Sequence, residues 1–293
     1  MTQSISGLHV IETAVFTLSG ENTKRWCNGM FSNNFRRMQP MDAHRSAICD
    51  DRGRVQGFID AVCIDADTFL CTLDGTTLEW FTGRFQMYMM LDDIEMDEGI
   101  HTIHHLLSTA DLETLNLPIP ETGKAVLHEG TWIVNRPRLR GHTGFDILRT
   151  EESTLDIANI VTQCRDIDAS EWQGLRIDTR TPEFPTDFTD KSFIHDFDLQ
   201  DSVCNFNKGC YVGQEIINRM DIKELAAKKL LRIQCTSGAL TVGASVSMGD
   251  KQMGTITAVH PDGQTGLAVL KKSVWDADSQ VSGDGFTAIV LAL

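Results

Sequence analysis

In the stretch Lys208-Gly209-Cys210-Tyr211-Val212-Gly213-Gln214-Glu215 a thiol stands two residues after a lysine and just before what reads as a helix start. A thiol reacts as its thiolate, and a nearby cation or a helix N-terminus lowers the pKa that controls it. Gly209 and Gly213 let the backbone turn and be approached closely. Gln214 to Arg219 then put acid early and base late, as a helical first turn does. Cys210 is therefore expected to be a working thiol with Lys208 beside it. The plainer reading is a small buried residue in a tight loop and a solvated lysine.

Other charged residues invite chemistry less directly. Arg136, Arg138 and Arg140 alternate, so an extended chain would put them on one strand face, either as an anion site or as a solvated basic edge. A second basic island runs through Lys223, Lys228, Lys229 and Arg232. His101, His104 and His105 lie in a segment that reads as a strand, which separates His104 from the other two, and no zinc-type ligand spacing occurs, so no metal is expected. The acidic run Asp92, Asp93, Glu95, Asp97 and Glu98 reads as a solvated turn.

These groups need elements to hold them. Val10-Ile11 and Val15 to Leu18 read as a strand, 21–30 as a helix, and 45–49 as a short strand. Val55–Ile64 and Thr68–Leu73 make a hairpin. Residues 76–90, with Leu78, Phe81, Phe85 and Met89 at helical spacing, form an amphipathic helix. Residues 131–134 and 145–148 read as strands, and 153–165 as a helix with Ser153 as its cap. Short apolar strands separated by Gly/Asp turns after residue 228 point to a small β-barrel. The domains expected are 1–115 and 116–227, both α+β, and 228–293, the barrel.

The composition is 41% hydrophobic and 23% charged, that of a globular chain. No apolar run suits a membrane span, and the N-terminus carries no basic residue before Lys24, so a cytoplasmic protein without a membrane partner is expected. A net charge of −15 argues against direct nucleic-acid binding. None of the eight cysteines form a C-x-x-C pair, which fits free thiols in a reducing compartment. No phosphate-binding loop, serine-hydrolase elbow or dinucleotide fingerprint occurs.

The octapeptide at 208–215 resembles the Lys-Gly-Cys-aromatic-x-Gly-Gln-Glu pattern of the YgfZ-type folate-binding proteins, relatives of the glycine-cleavage T-protein (aminomethyltransferase) linked to iron–sulfur protein maturation. Ser19-Gly20-Glu21-Asn22 with Trp26 to Asn34, Gly53-Arg54-Val55, and Leu175-Arg176-Ile177 followed by Pro182 resemble further family segments. The resemblance implies an α+β T-protein/YgfZ-like fold, with two lobes around a central folate channel and a C-terminal barrel. It implies tetrahydrofolate or a related reduced folate as cofactor, and iron–sulfur proteins or their assembly machinery as partners. Gly141 to Ile147 resembles the family's pterin-binding stretch, which makes Asp146 the pterin-contacting carboxylate, with Glu replaced by the shorter Asp and with His142 where the family has another Glu. Arg176, Arg140 and Glu215 are the other candidate folate contacts; Arg176 reads equally as a structural ion pair and Glu215 as an acid serving the first helical amides. The T-protein acid pair after the Gly-Arg-Val turn is replaced by Gly57-Phe58, with Asp60 a poor substitute, which argues against an active aminomethyltransferase. Two other readings remain: one-carbon transfer of the T-protein kind, and a scaffold that keeps the fold without folate.

Overall fold

The computed structural model describes residues 5–99 and 102–292, and they form two compact units. The first comprises the residues up to Arg52, Gln56–Ile167 and Ser202–Gln214, and the second comprises Gly53–Val55, Asp168–Asp201 and the residues from Glu215 onward. His101 lies outside the described residues.

In chain order the first unit contains β1 (Leu8–Glu12), β2 (Val15–Ser19), α1 (Thr23–Met30), β3 (Ala43–Cys49), β4 (Val55–Cys63), β5 (Thr68–Asp74) and α2 (Leu78–Leu91). It continues with β6 (Glu95–Glu98), β7 (Thr102–Leu106), α3 (Thr109–Thr114), β8 (Ala125–His128), β9 (Thr131–Asn135), β10 (Phe145–Arg149) and α4 (Ile157–Gln163). The strands make two five-stranded sheets, ordered β3-β4-β5-β2-β6 and β1-β7-β10-β9-β8.

Period-2 alternation decides the layering. Phe16, Leu18, Ile59, Ala61, Phe69 and Cys71 point from the first sheet to Phe81 and Phe85 of α2 and Trp26 of α1. Ile133, Phe145 and Ile147 point from the second sheet to Leu112 of α3 and Ile160 of α4. Their odd-one-out neighbours along the strands, Val15, Val62 and Leu70 on one sheet and Ile103, Trp132, Val134 and Leu148 on the other, meet between the sheets. The unit is thus four layers, helix–sheet–sheet–helix. Asp60 and Asp146 fall on the same inward faces as Val62 and Leu148, so alternation carries two carboxylates into the layer between the sheets.

Local chemistry fixes the helices. Thr77 caps α2 by accepting from Trp80 N, and Phe81, Phe85 and Met89 form its buried stripe. Ser108 and Asp111 form a reciprocal capping box on α3.

Three expectations need correction. The segment 10–18 is two strands in different sheets, because β1 pairs with β7 while β2 pairs with β5 and β6. The helix expected over 153–165 begins only at Ile157, capped by Asp156, since the Ser153 hydroxyl is bonded to Thr131 instead. The acidic run is not all turn: Glu95–Glu98 forms β6 at a sheet edge, where one side needs no partner and charge is tolerated.

The second unit contains α5 (Ala169–Asp178), the short α6 (Gln200–Val203) at its boundary, α7 (Gln214–Ile222) and six strands: β11 (Lys228–Gly238), β12 (Ser245–Met248), β13 (Lys251–Val259), β14 (Thr265–Lys271), β15 (Gln280–Gly283) and β16 (Phe286–Val290). The strands close into a barrel in the order β11-β14-β13-β12-β15-β16, with β16 pairing back to β11. Leu231, Ile233, Val246, Ile256, Leu270, Phe286 and Val290 fill it. Among the described residues no helix is long and apolar enough to cross a membrane.

Candidate functional site

The layer between the two sheets of the first unit ends in a buried charge network. Asp146 sits on β10 directly opposite His105 of β7, and its side chain is 0% exposed. His105 Nδ1 lies 2.8 Å from Asp146 Oδ1. A carboxylate only accepts, so the His105 proton resides on Nδ1. Arg138 donates twice, Nε to Oδ1 at 2.8 Å and Nη2 to Oδ2 at 2.8 Å, and Arg136 Nη1 donates to Oδ2 at 3.0 Å. Four donors thus occupy the acceptor sites of both oxygens. Burial alone would raise the Asp146 carboxyl, but Arg138, His105 and Arg136 overcome it and hold it well below the usual carboxylate range. Burial keeps His105 below its ordinary value despite that carboxylate.

Arg136 also reaches the other sheet, with Nε 3.5 Å from Asp60 Oδ1 on β4. Arg45 on β3 completes a fork on Asp60, Nε at 2.9 Å and Nη2 at 3.0 Å, and donates to Asp74 at 2.6 Å. Burial opposes the ionised Asp60, yet Arg136 and Arg45 bring its pKa down to about 2. The alternating arginines are therefore not strand residues: the chain from Arg136 to Arg140 is irregular, and Arg136 and Arg138 turn inward to Asp146 rather than lining a solvated edge. Arg140 follows half-buried on the same loop. Asp60 is also no free acid in place of the missing T-protein pair. Gly57 has φ 153°, and a Cβ there would lie 3.0 Å from the Thr76 methyl, so an acidic side chain at that position would be strained.

The thiol loop is pinned to the first unit at several points. Asn205 N donates to Ser32 O at 3.1 Å, Ser32 Oγ to Val203 O at 2.6 Å, and Val212 N to Gly29 O at 3.2 Å. Lys208 Nζ donates to the carbonyls of Phe31 and Asn33, both at 2.6 Å, and stands 4.7 Å over the Tyr211 ring. The lysine thus ties the loop to the end of α1. Cys210 is exposed, whereas Cys27, Cys49, Cys63, Cys71, Cys204 and Cys235 are buried and Cys164 is half-buried. Burial pushes the thiols of Cys27, Cys49, Cys63, Cys71 and Cys164 up, away from reactivity. α7 starts at Gln214, with the exposed Glu215 in its first turn.

Burial lowers the pKa of Lys208 to about 7. The unfolded chain, with an ordinary lysine, then binds the extra proton between that value and 10.5. Stability is expected to rise with pH across this window, and Lys208→Met is expected to flatten the rise. Chemical denaturation at pH 7, 8, 9 and 10 measures it; identical slopes for both proteins would overturn the assignment.

Arg176 lies in the second unit, on α5, 1% exposed. Its Nη1 donates to Asp187 at 2.6 Å and to Thr181 O at 3.3 Å, and its Nε donates to Gln173 at 3.1 Å. Asp187 also accepts from Glu183 N at 2.8 Å and from the Thr257 hydroxyl of β13. The pair ties α5 and its following loop to the barrel. Among the described residues no three His, Cys, Asp or Glu side chains gather as a metal site.

The whole chain superposes on the glycine cleavage system aminomethyltransferase T from Bartonella henselae, with a TM-score of 0.85 over 100% of this chain and 86% of that one, at 13% sequence identity. The protein has the T-protein fold, mixed α and β with a closed six-stranded C-terminal barrel. No protein-family model matches the chain, and no curated protein matches it either.

Proposed function

We propose that this chain is a tetrahydrofolate-binding accessory protein that supports iron–sulfur cluster assembly or repair in the cytoplasm, with Cys210 as its working thiol. The observation that carries this reading is the exposed Cys210 on a loop held in place by Lys208. The partners are iron–sulfur proteins or the machinery that assembles their clusters. Aminomethyl transfer is the weaker reading, because Gly57-Phe58 replaces the acid pair and Asp60 is engaged by two arginines.

The folate part of the proposal meets a fit test at Asp146. As the residues stand, Arg138, Arg136 and His105 leave that carboxylate no free acceptor site for a pterin donor edge. A pterin contact there requires Arg138 to withdraw, and Arg140 and Glu215 are the remaining candidate contacts. Arg176 serves in this reading as a prop for the Asp187 loop. The filled carboxylate favours a second reading, a scaffold that keeps the fold without folate.

Two measurements decide. Cys210→Ala, a change at an exposed position expected to alter stability by less than about 0.5 kcal/mol, is expected to leave iron–sulfur enzyme activities unrestored in a strain deleted for this protein. Full restoration would overturn the thiol assignment. Tryptophan fluorescence titrated with a reduced folate is expected to show saturable quenching, equal in wild type and Cys210→Ala. No quenching favours the scaffold, and methylenetetrahydrofolate formed at turnover rates from an aminomethylated lipoyl carrier protein would establish the transferase.

A further inference from the structure

The second unit has an open cavity of about 610 Å³ between the segment 186–196 and the barrel strands β13 and β14. That volume suits a small-molecule ligand. Phe188, Phe193, Met220 and Met253 give it apolar walls. One wall carries Asp196, 6% exposed. Its Oδ2 accepts from Phe193 N at 3.0 Å, and no described residue donates a hydrogen bond to Oδ1. Oδ1 is not among the buried atoms left without a partner, so it is open on the cavity side, where a ligand donor can reach it. Burial pushes this carboxyl up to about 6, with Lys228 and the Phe193 amide opposing. Buried carboxyls displaced in this way cluster at functional sites.

Three exposed lysines, Lys191, Lys228 and Lys271, also line the cavity. They repel a simple cation and attract an anion. Asp187, the other acid lining it, is already bonded to Arg176 and Thr257. We propose that this cavity binds a small zwitterionic molecule whose guanidine- or amidine-type head docks on Asp196, whose apolar body lies against the phenylalanines and methionines, and whose carboxylate or phosphate end meets the lysines. The site is built from the second unit alone and is independent of the folate reading.

The probe is 4-guanidinobenzoate, added to the full chain labelled with ¹³C at the methionine methyls. Met220 and Met253 are assigned through Met220→Leu and Met253→Leu. Their signals are expected to shift saturably. Asp196→Asn keeps an acceptor for the Phe193 amide but removes the charge, and is expected to weaken binding about tenfold or more, the weight of one charge-assisted hydrogen bond. Phenylguanidine, lacking the carboxylate, is expected to bind more weakly. The probe's head stays charged while Asp196 loses its proton, so binding is expected to tighten as pH rises from 5 to 7. Thr255→Trp, at a half-buried lining position, is expected to fill the cavity and abolish the shifts even if Asp196→Asn does not fold. Absence of saturable shifts in the wild type, or equal affinity in a folded Asp196→Asn protein, would overturn the proposal.

Discussion

Asp146→Ala is expected to destabilise the first unit by about 3–5 kcal/mol, the cost of leaving buried charge without its partner. The mutation removes the acceptor for His105 and for both inward-turned arginines, and Arg136 already has Nη2 buried without a partner. A domain holds only about 5–15 kcal/mol in total, so the loss takes a large share of it. Thermal melting measures this; an unchanged Tm would mean that the network contributes nothing. The same network predicts acid sensitivity. Asp60 and Asp146 have folded pKa values below the unfolded 3.8, so their contribution is complete above that value; Asp60's is lost as pH falls toward about 2, and Asp146's is lost well below 3.8. Since truncation of Asp146 disturbs the fold, a loss of folate affinity in that variant proves no contact. Arg138→Met is the cleaner probe: it frees two acceptor positions on Asp146, and tighter folate binding is expected if that carboxylate reads the pterin.

How much of this was legible in the sequence differs by element. The barrel was readable because Gly/Asp turns at short intervals bound its strands, whereas β15, only Gln280–Gly283, is too short and polar to stand out. The hairpin β4–β5 and the helix α2 were readable from period 2 and period 3.6. α5 was not, because Ala169–Asp178 mixes Ser, Glu, Gln and Gly with few apolar residues and is marked chiefly by its Asp168 cap. The division of β1 and β2 between two sheets was invisible, since pairing depends on strands about fifty to ninety-eight residues away. For the proposed site, the octapeptide points to Cys210 and Lys208 through its resemblance to the family pattern together with their spacing. What the lysine holds was hidden, because Phe31 and Asn33 lie 177 and 175 residues away in sequence. His105 was weighed only as a metal ligand. The available signal was the alternation placing His105 and Asp146 each on the inward face of a strand, and recognising it requires knowing that β7 and β10 are neighbours. The spacing of Arg136 and Arg138 left an anion site and a solvated basic edge both open, because an extended chain would have put them on one strand face, whereas the irregular loop turns both inward.

In the second unit, Asp187→Ala is expected to cost about 3–5 kcal/mol as well. It leaves the guanidinium of Arg176, which is 1% exposed and has Nη2 buried without a partner even in the intact protein, with only the more exposed Glu183 at 3.5 Å as counter-charge. It also releases Glu183 N and the Thr257 hydroxyl, so one side chain detaches α5, its following loop and β13 from each other. Arg176→Met, which leaves Asp187 two of its three donors, is expected to cost less. The double variant Asp187→Leu with Arg176→Met is expected to recover most of the loss, because an apolar pair of similar volume carries no desolvation penalty. Denaturant melts of Asp187→Leu, Arg176→Met and the double variant close the cycle. Additive losses would show that the two side chains act independently and that the ion pair is incidental to the barrel's attachment. Strong recovery would show that the pair serves as a fastener, and would place Arg176 among the residues that shape the second unit rather than those that read a ligand.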